Sequence, residues 1–596
     1  MKTTKKKPLL RLIENARAND PGIFRAYALY TLVTLCVPLF SVLLPRALIG
    51  YLTEGSPDVL GVVRIVSAFF AAGAAVYFLK QWLHDSTYPR LTALRIDYVR
   101  DMAVKLLRMD YKYMESARFF EERSSAFDAT NTNSNGVEGI YHKLFDLPQL
   151  LLIALGLSVF IGLASLPVLA AIVVNAAATT FAAIAVQKYR YSRKEELNRQ
   201  ERRVSYYART AKDFSYGKDV RMYDLKARIL DNFRTQIKGY RDVFAAIKNK
   251  EYALGFLTLL TLLVSDVATY GVLTWLTAKG MSIANFSMYL VAASTLSTQM
   301  KALSENVTFI MQEHLYVRDL FKFLDEDLGE AGGKLAAPPA DVPLEIEFQN
   351  VTFRYPETER YIFKDFSLKI PAGQKLALVG VNGAGKTTFV KLLTGLFKPD
   401  AGRILLNGRD IGEYQKSELF KMFAAVFQDV NIMAFTVAQN IACSLDNIDC
   451  EKVDDVLRQV GLYEKVKNLP KGADTMMLRV IDEDGAVFSG GESQKLAIAR
   501  ALYKGGSCVI MDEPTAALDA LAEAEIYAEF DELTKGKTAI YISHRLASTR
   551  FCDRIALIGP EGLLEYGSHD ELMRRGGIYR DMFVTQGKYY QEGVAV

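Results

Sequence analysis

Long uncharged runs fill the first 325 residues and give way afterwards to short apolar strand patterns. Residues 26–45 hold 20 consecutive uncharged side chains. At about 1.5 Å rise per residue they span about 30 Å, the thickness of a bilayer's hydrocarbon core. Residues 65–79 form a shorter run that extends outward past Arg64 to Val59, where the arginine stem can reach back to the interface. Between Asp146 and Lys188 lie 41 uncharged residues with Pro167 at the centre, which predicts two helices, 147–166 and 168–187, joined by a tight turn. Residues 252–278 contain one charge, Asp266, and residues 280–300 contain none. The pattern predicts six spanning helices within residues 23–325.

Basic residues orient these helices. The N-terminal segment 1–22 carries six Lys/Arg, segment 80–143 ten and segment 188–250 eighteen, so the positive-inside tendency puts both termini and the two long segments in the cytoplasm. Segments 80–143 and 188–251 are each 64 residues long. Folded as two antiparallel helices of about 30 residues, each reaches on the order of 45 Å beyond the membrane. Residues 326–343, with Gly329, Gly332, Gly333, Pro338, Pro339 and Pro343, read as a linker. A second domain occupies 344–590, and 591–596 form a short tail.

Composition narrows the class without choosing a function. With 596 residues, 50% apolar and 23% charged, and a net charge of +4, the chain is neither disordered nor collagen-like, and nothing in it calls for nucleic acid. The five cysteines show no metal or disulfide spacing. The N-terminus lacks a signal-peptide pattern and is expected to be retained.

The chemistry lies in the second domain. The strand pattern 375–379 leads into Gly380-Val381-Asn382-Gly383-Ala384-Gly385-Lys386-Thr387-Thr388 and then a helical run, a phosphate-binding loop in a strand-to-helix setting. Its glycines let backbone N–H groups crowd phosphate oxygens, Lys386 neutralises the β- and γ-phosphates, and the Thr387 hydroxyl suits Mg²⁺. The apolar strand 508–511 ends in Asp512-Glu513. Asp512 suits the metal shell, and Glu513 suits the positioning and deprotonation of an attacking water. Between them, Ser489-Gly490-Gly491-Glu492 opens a second helix whose N-terminus favours an anion.

The order of these motifs resembles the nucleotide-binding domain of ATP-binding cassette (ABC) transporters, and with six preceding spans the whole chain resembles an exporter-type half-transporter. That resemblance implies an all-α membrane domain followed by an α/β P-loop ATPase domain with a helical subdomain. It also implies roles for single residues: Tyr355 as the aromatic stacked on adenine, Gln428 as the glutamine linking metal to membrane domain, and Ser489 to Glu492 as the signature. Asp519 takes the D-loop position and His544 that of the switch histidine. Phe488 and Glu492 depart from the family, which typically has Leu and Gln there. A carboxylate near a γ-phosphate is repelled unless it points away.

One phosphate loop and one signature per chain imply two chains, because in the family these motifs face each other across a head-to-tail pair. The expected partner is a second copy or a related half-transporter. The expected activity is ATP-driven export of a peptide, lipid or amphipathic small molecule across a membrane, the plasma membrane being the natural site, by alternating access. An ATP-gated channel or regulator, or an importer on the exporter fold, are the competing readings; intact Glu513 and His544 favour a pump over a channel. Asp266 is expected to face a hydrated cavity or another helix. Tyr270, Asn285, Ser287 and Gln299 are candidates to line the same cavity, or to bond neighbouring backbone instead.

Overall fold

The computed structural model describes residues 7–53, 57–329, 332–339, 342–513, 534–560 and 562–592. They form two compact units, one of Met1–Leu107 with Phe120–Asp327, the other of Arg108–Phe119 with Leu328–Val596.

The first unit is built from helices. Helix α1 (Pro8–Asn19) starts on a proline, and α2 (Gly22–Thr53) carries Pro38 and Pro45 in its interior. Then come α3 (Val59–Arg108), the short α4 (Tyr111–Met114), α5 (Ala117–Glu122) and α6 (Ser124–Asp128), and α7 (Gly136–Ala164). They are followed by α8 (Leu166–Ser192), α9 (Lys194–Lys212), α10 (Gly217–Met222), α11 (Lys226–Ala278) and α12 (Ile283–Asp325). The predicted turn near Pro167 falls at Ser165, whose extended backbone ends α7, and the proline sits in the first turn of α8, where its missing N–H costs nothing. All six uncharged runs lie on long helices. Among the described residues, five helices (α2, α3, α7, α8 and α11) are long and apolar enough to cross a membrane. The sixth run lies on α12, where Asn285, Ser287, Thr295 and Gln299 make it more polar than the other five.

The two long extensions, 80–143 and 188–251, are unlike each other. Residues 188–251 form the expected antiparallel pair, the end of α8 with α9 going out and α11 returning. In 80–143 only the outgoing half is one helix; the return is broken into α4, α5 and α6 before α7 begins at Gly136. Buried polar ties hold that break. Glu138 is fully buried; its carboxylate takes the Arg95 Nε at 2.7 Å and the Thr92 hydroxyl at 2.7 Å, and Arg95 also donates to the Thr130 carbonyl at 2.8 Å. The Gly136 N–H donates to the buried Glu313 of α12 at 2.8 Å.

The second unit contains two sheets. A four-stranded antiparallel sheet has the order β2-β1-β4-β5, with β1 (Ile346–Arg354), β2 (Tyr361–Ile370), β4 (Ala401–Leu406) and β5 (Arg409–Asp410). A six-stranded sheet has the order β10-β9-β3-β8-β7-β6. Its members are β3 (Lys375–Gly380), β6 (Phe423–Val426), β7 (Cys508–Asp512), β8 (Thr538–Ile542), β9 (Arg554–Gly559) and β10 (Gly562–Gly567). Only β10 runs antiparallel within it. Strands β7 and β8 are buried at every position, as expected of parallel strands covered on both faces. One apolar core, with Phe348, Phe363, Phe366 and Phe389, fills the space between the sheets. Another joins the parallel sheet to the helical subdomain, made of α15 (Val437–Ala442), α16 (Cys450–Gln459), α17 (Tyr463–Lys467) and α18 (Gly490–Lys504). Helix α13 (Lys386–Leu393) follows β3 directly.

Candidate nucleotide site

Parallel strands bring their carboxyl ends to one edge of a sheet, where ligands of open α/β folds bind. Strands β3, β7 and β8 do so here: β3 ends at Gly380 and β7 at Asp512, with Asp512 beside Ile542 of β8. The Glu513 N–H continues that register by donating to the Ile542 carbonyl at 3.1 Å. This is why residues far apart in sequence converge. Tyr355, Asn382, Lys386, Thr387, Gln428, Glu513 and His544 are among those lining one cleft of 520 Å³.

The phosphate loop is shaped by its glycines. Gly385 caps α13 with φ +101°, and a Cβ there would lie 2.7 Å from Ile362 and 3.0 Å from Phe363. At Gly380, φ is +155° and a Cβ would strike the Ile558 carbonyl at 2.2 Å. No side chain is tolerated at either point. Gly383 lines the cleft and the buried Ala384 supports the loop from below. Lys386 Nζ curls back onto the loop's own carbonyls, 2.9 Å from Gly380 and 3.3 Å from Val381. Burial pushes its ammonium pKa down, opposed by the nearby Glu513 and Asp512 carboxylates. The Thr388 hydroxyl is 2.9 Å from the Tyr355 hydroxyl, which ties the adenine-stacking candidate to the loop. The Tyr355 ring stands edge-on to Phe353 and Phe397.

The carboxylates differ as their proposed tasks require. Asp512 is fully buried. Neither of its oxygens completes a hydrogen bond among the described residues, although the Thr387 hydroxyl lies near enough to draw its pKa down. Burial dominates and pushes it up to about 6. Two buried oxygens without donors among the described residues, beside the Thr387 hydroxyl, fit a divalent cation, which takes oxygen ligands of this kind. Glu513 sits at the strand end with φ +51°, a left-handed conformation rare for a non-glycine residue. One of its oxygens meets His544 Nε2 and the other accepts from Gln428 Nε2 at 3.2 Å. Glu513, His544 and Gln428 thus form one hydrogen-bonded group.

Ser489 caps α18. Its Oγ accepts the Glu492 N–H at 3.3 Å, and the Glu492 carboxylate accepts the Ser489 N–H at 2.8 Å. Ser489, Gly490, Gly491 and Glu492 do not line the cleft around Lys386 of their own chain. Asp519 lies outside the described residues.

In the first unit, Asp266 is exposed on α11 and forms no ion pair among the described residues. Tyr270 is exposed as well, and Asn285 and Gln299 are half-buried. The Ser287 hydroxyl donates to the Ala284 carbonyl at 2.8 Å, the local backbone bond that span hydroxyls often make.

Two further contacts carry no signal in the sequence. Lys391, one turn beyond the loop, has its ammonium 5.7 Å from the Tyr355 ring and 2.5 Å from Glu115. Lys465 pairs with Glu492 at 2.6 Å. Neither lies in a motif, and both contacts join residues distant in sequence.

Residues 363–516 match the family model described as ABC transporter. An "ATP-dependent lipid A-core flippase" of Cupriavidus pinatubonensis is 36% identical over 310 residues, 51% of each chain. One of Salmonella typhimurium is 37% identical over 268 residues, 45% of each chain. The matches span about half the length of these curated relatives. A solved bacterial Atm1-family ABC exporter with ATP bound superposes with a TM-score of 0.75 at 23% identity, covering 96% of this chain and 98% of that one. That likeness shows the fold.

Proposed function

We propose that this chain, an integral membrane ABC transporter of the fused exporter fold, couples ATP hydrolysis to the outward movement of a lipid or similar amphiphile as one half of a two-chain assembly. The lipid class is favoured by the flippase relatives. The peptide and small-molecule alternatives lack a comparable supporting observation. Both termini and the ATPase domain are assigned to the cytoplasmic side of the plasma membrane, on the excess of basic residues in the two long extensions.

The observation carrying this reading is the placement of the two ATP motifs. The Lys386 loop, Gln428, Glu513 and His544 share one cleft, with Asp512 buried next to Glu513 at the end of β7, while the Ser489 signature of the same chain stands outside the cleft. A second chain then supplies the signature that covers bound ATP.

In this site the loop N–H groups and Lys386 bind the ATP phosphates, Lys386 exchanging its two backbone carbonyls for phosphate oxygens. Tyr355 stacks on the base. Mg²⁺ held by Thr387, Asp512 and Gln428 would supply charge neutralisation at the β- and γ-phosphates. Glu513, oriented by His544 and Gln428, positions water in line with the γ-phosphate and accepts its proton. Loss of the shared phosphate opens the pair and moves the helices between inward- and outward-facing arrangements.

The test uses the full chain in sealed proteoliposomes. Glu513→Gln is expected to lower ATP turnover by at least about 100-fold while ATP still binds. With parent protein, ATP should drive a labelled lipid to one leaflet against its gradient. Unchanged turnover in Glu513→Gln would overturn the catalytic assignment, and purely downhill movement would favour the channel reading.

A further inference from the structure

The two departures from the family signature, Phe488 and Glu492, meet at one side chain. Lys465, on α17 of the helical subdomain, places its ammonium 2.6 Å from Glu492 Oε1 and 4.9 Å from the centre of the Phe488 ring. The other Glu492 oxygen is held by the Ser489 N–H. Phe488 is itself buried in the core that joins α17 to α18. A single lysine therefore contacts both unusual residues, 23 and 27 positions away in sequence.

We infer that Lys465 is a positioning residue for the signature, which cancels and anchors the Glu492 carboxylate so that the start of α18 can accept the γ-phosphate of ATP held by the other chain. The inference rests on the reading that Ser489, Gly490 and Gly491 act on a partner's ATP.

The physical need is specific. A helix leaves its first N–H groups without carbonyl partners, and these attract anions. In α18 the Glu492 N–H is taken by Ser489 Oγ, which leaves the N–H groups of Gly490 and Gly491 for phosphate. A bare carboxylate in the same first turn of the helix would repel that phosphate. Lys465 makes the Lys–Glu pair neutral, the same net charge as the usual glutamine, while the other carboxylate oxygen stays on the Ser489 N–H. The hydrogen bond from Lys465, followed by that from the Ser489 backbone, holds the Glu492 carboxyl below its ordinary pKa, so the charge to be cancelled is present at neutral pH. The pair is partly exposed, 41% at Lys465 and 29% at Glu492. A pair so exposed adds little to folding stability; its effect is expected in ATP use.

The experiment measures ATPase kinetics of the full chain in liposomes. Lys465→Met is expected to raise KM for ATP roughly tenfold with a smaller change in kcat, and the rise should shrink at high ionic strength. Adding Glu492→Gln to Lys465→Met should bring KM back to within about threefold of the parent, since removing the stranded charge replaces cancelling it. Lys465→Arg, which keeps the charge, should stay within about threefold without a second change. An unaltered KM in Lys465→Met, or a defect that Glu492→Gln leaves in place, would overturn the inference and reduce Lys465 to packing on Phe488. Should Lys465→Met fail to fold, a tenfold KM defect in folded Lys465→Arg would do the same. Ser489→Arg separates the underlying reading: normal turnover there would remove the signature's role in hydrolysis, whatever Lys465 does.

Discussion

At the scale of single residues, Tyr355 offers the most direct measurement. Its hydroxyl bonds Thr388 while its ring is propped by Phe353 and Phe397, so ring and hydroxyl separate by mutation. Tyr355→Ala should weaken ATP binding by the value of a base–aromatic stack, about 1–3 kcal/mol. Tyr355→Phe should lose about 1 kcal/mol or less, the net worth of one hydrogen bond. Equilibrium binding of ATP to the full chain checks both. Asp20 gives a pH-dependent counterpart. Its carboxyl is held below its ordinary 3.8 by two hydrogen bonds from Arg90, at 2.5 and 2.6 Å, against the opposing effect of burial. A depressed folded pKa contributes stability above the unfolded value and loses it as pH falls through the folded one. The difference in Tm between the parent and Asp20→Asn should therefore be constant from neutral pH to about pH 5 and vanish in more acid solution.

At the scale of elements, what was legible in the sequence were features that are local or periodic. Six uncharged runs mark six long helices, and the strand–glycine loop–helix order of β3 and α13 follows from adjacent residues. The broken return of the first extension was not legible, because it depends on buried partners brought from elsewhere: Glu138 with Arg95 and Thr92, and Gly136 with Glu313. Glu138→Ala should lower stability by about 3–5 kcal/mol, the cost of leaving a half-buried arginine without its carboxylate, and would appear as a lower Tm of the full chain. The same holds for Arg108–Phe119, which the sequence placed with the membrane helices and which groups instead with the second unit. The Asp110 N–H donates to the Leu328 carbonyl at 2.8 Å, Glu115 pairs with Lys391, and Tyr111 stands edge-on to Phe397. Each contact joins residues more than 200 positions apart, and no periodicity encodes such distances. In the nucleotide site the individual motifs were readable. The clasp of Glu513 by His544 and Gln428 was not, since it arises from the register of β7 with β8 on one side and β6 on the other.

At the scale of the whole molecule, the decisive feature is that the loop and the signature of one chain stand apart, which makes the assembly testable without knowing the transported substrate. Consider Lys386→Ala, which disables the loop, and Ser489→Arg, which blocks the signature. In a pair of identical chains either change damages both seams. In a mixed pair, the intact loop of the Ser489→Arg chain faces the intact signature of the Lys386→Ala chain, and both defects gather in the other seam. Random pairing makes about half of the assemblies mixed, each with one sound seam of two, so co-expressed variants should retain about a quarter of the parent's trapped ATP after rapid dilution. Either variant alone should retain almost none. Trapped nucleotide is the chosen readout because it does not require the two seams to alternate in turnover. A mixture that traps no more than its components would place the complete site within one chain and remove the reason for pairing, whereas recovery in the mixture but not in separately purified, unmixed samples ties ATP capture to contact between chains.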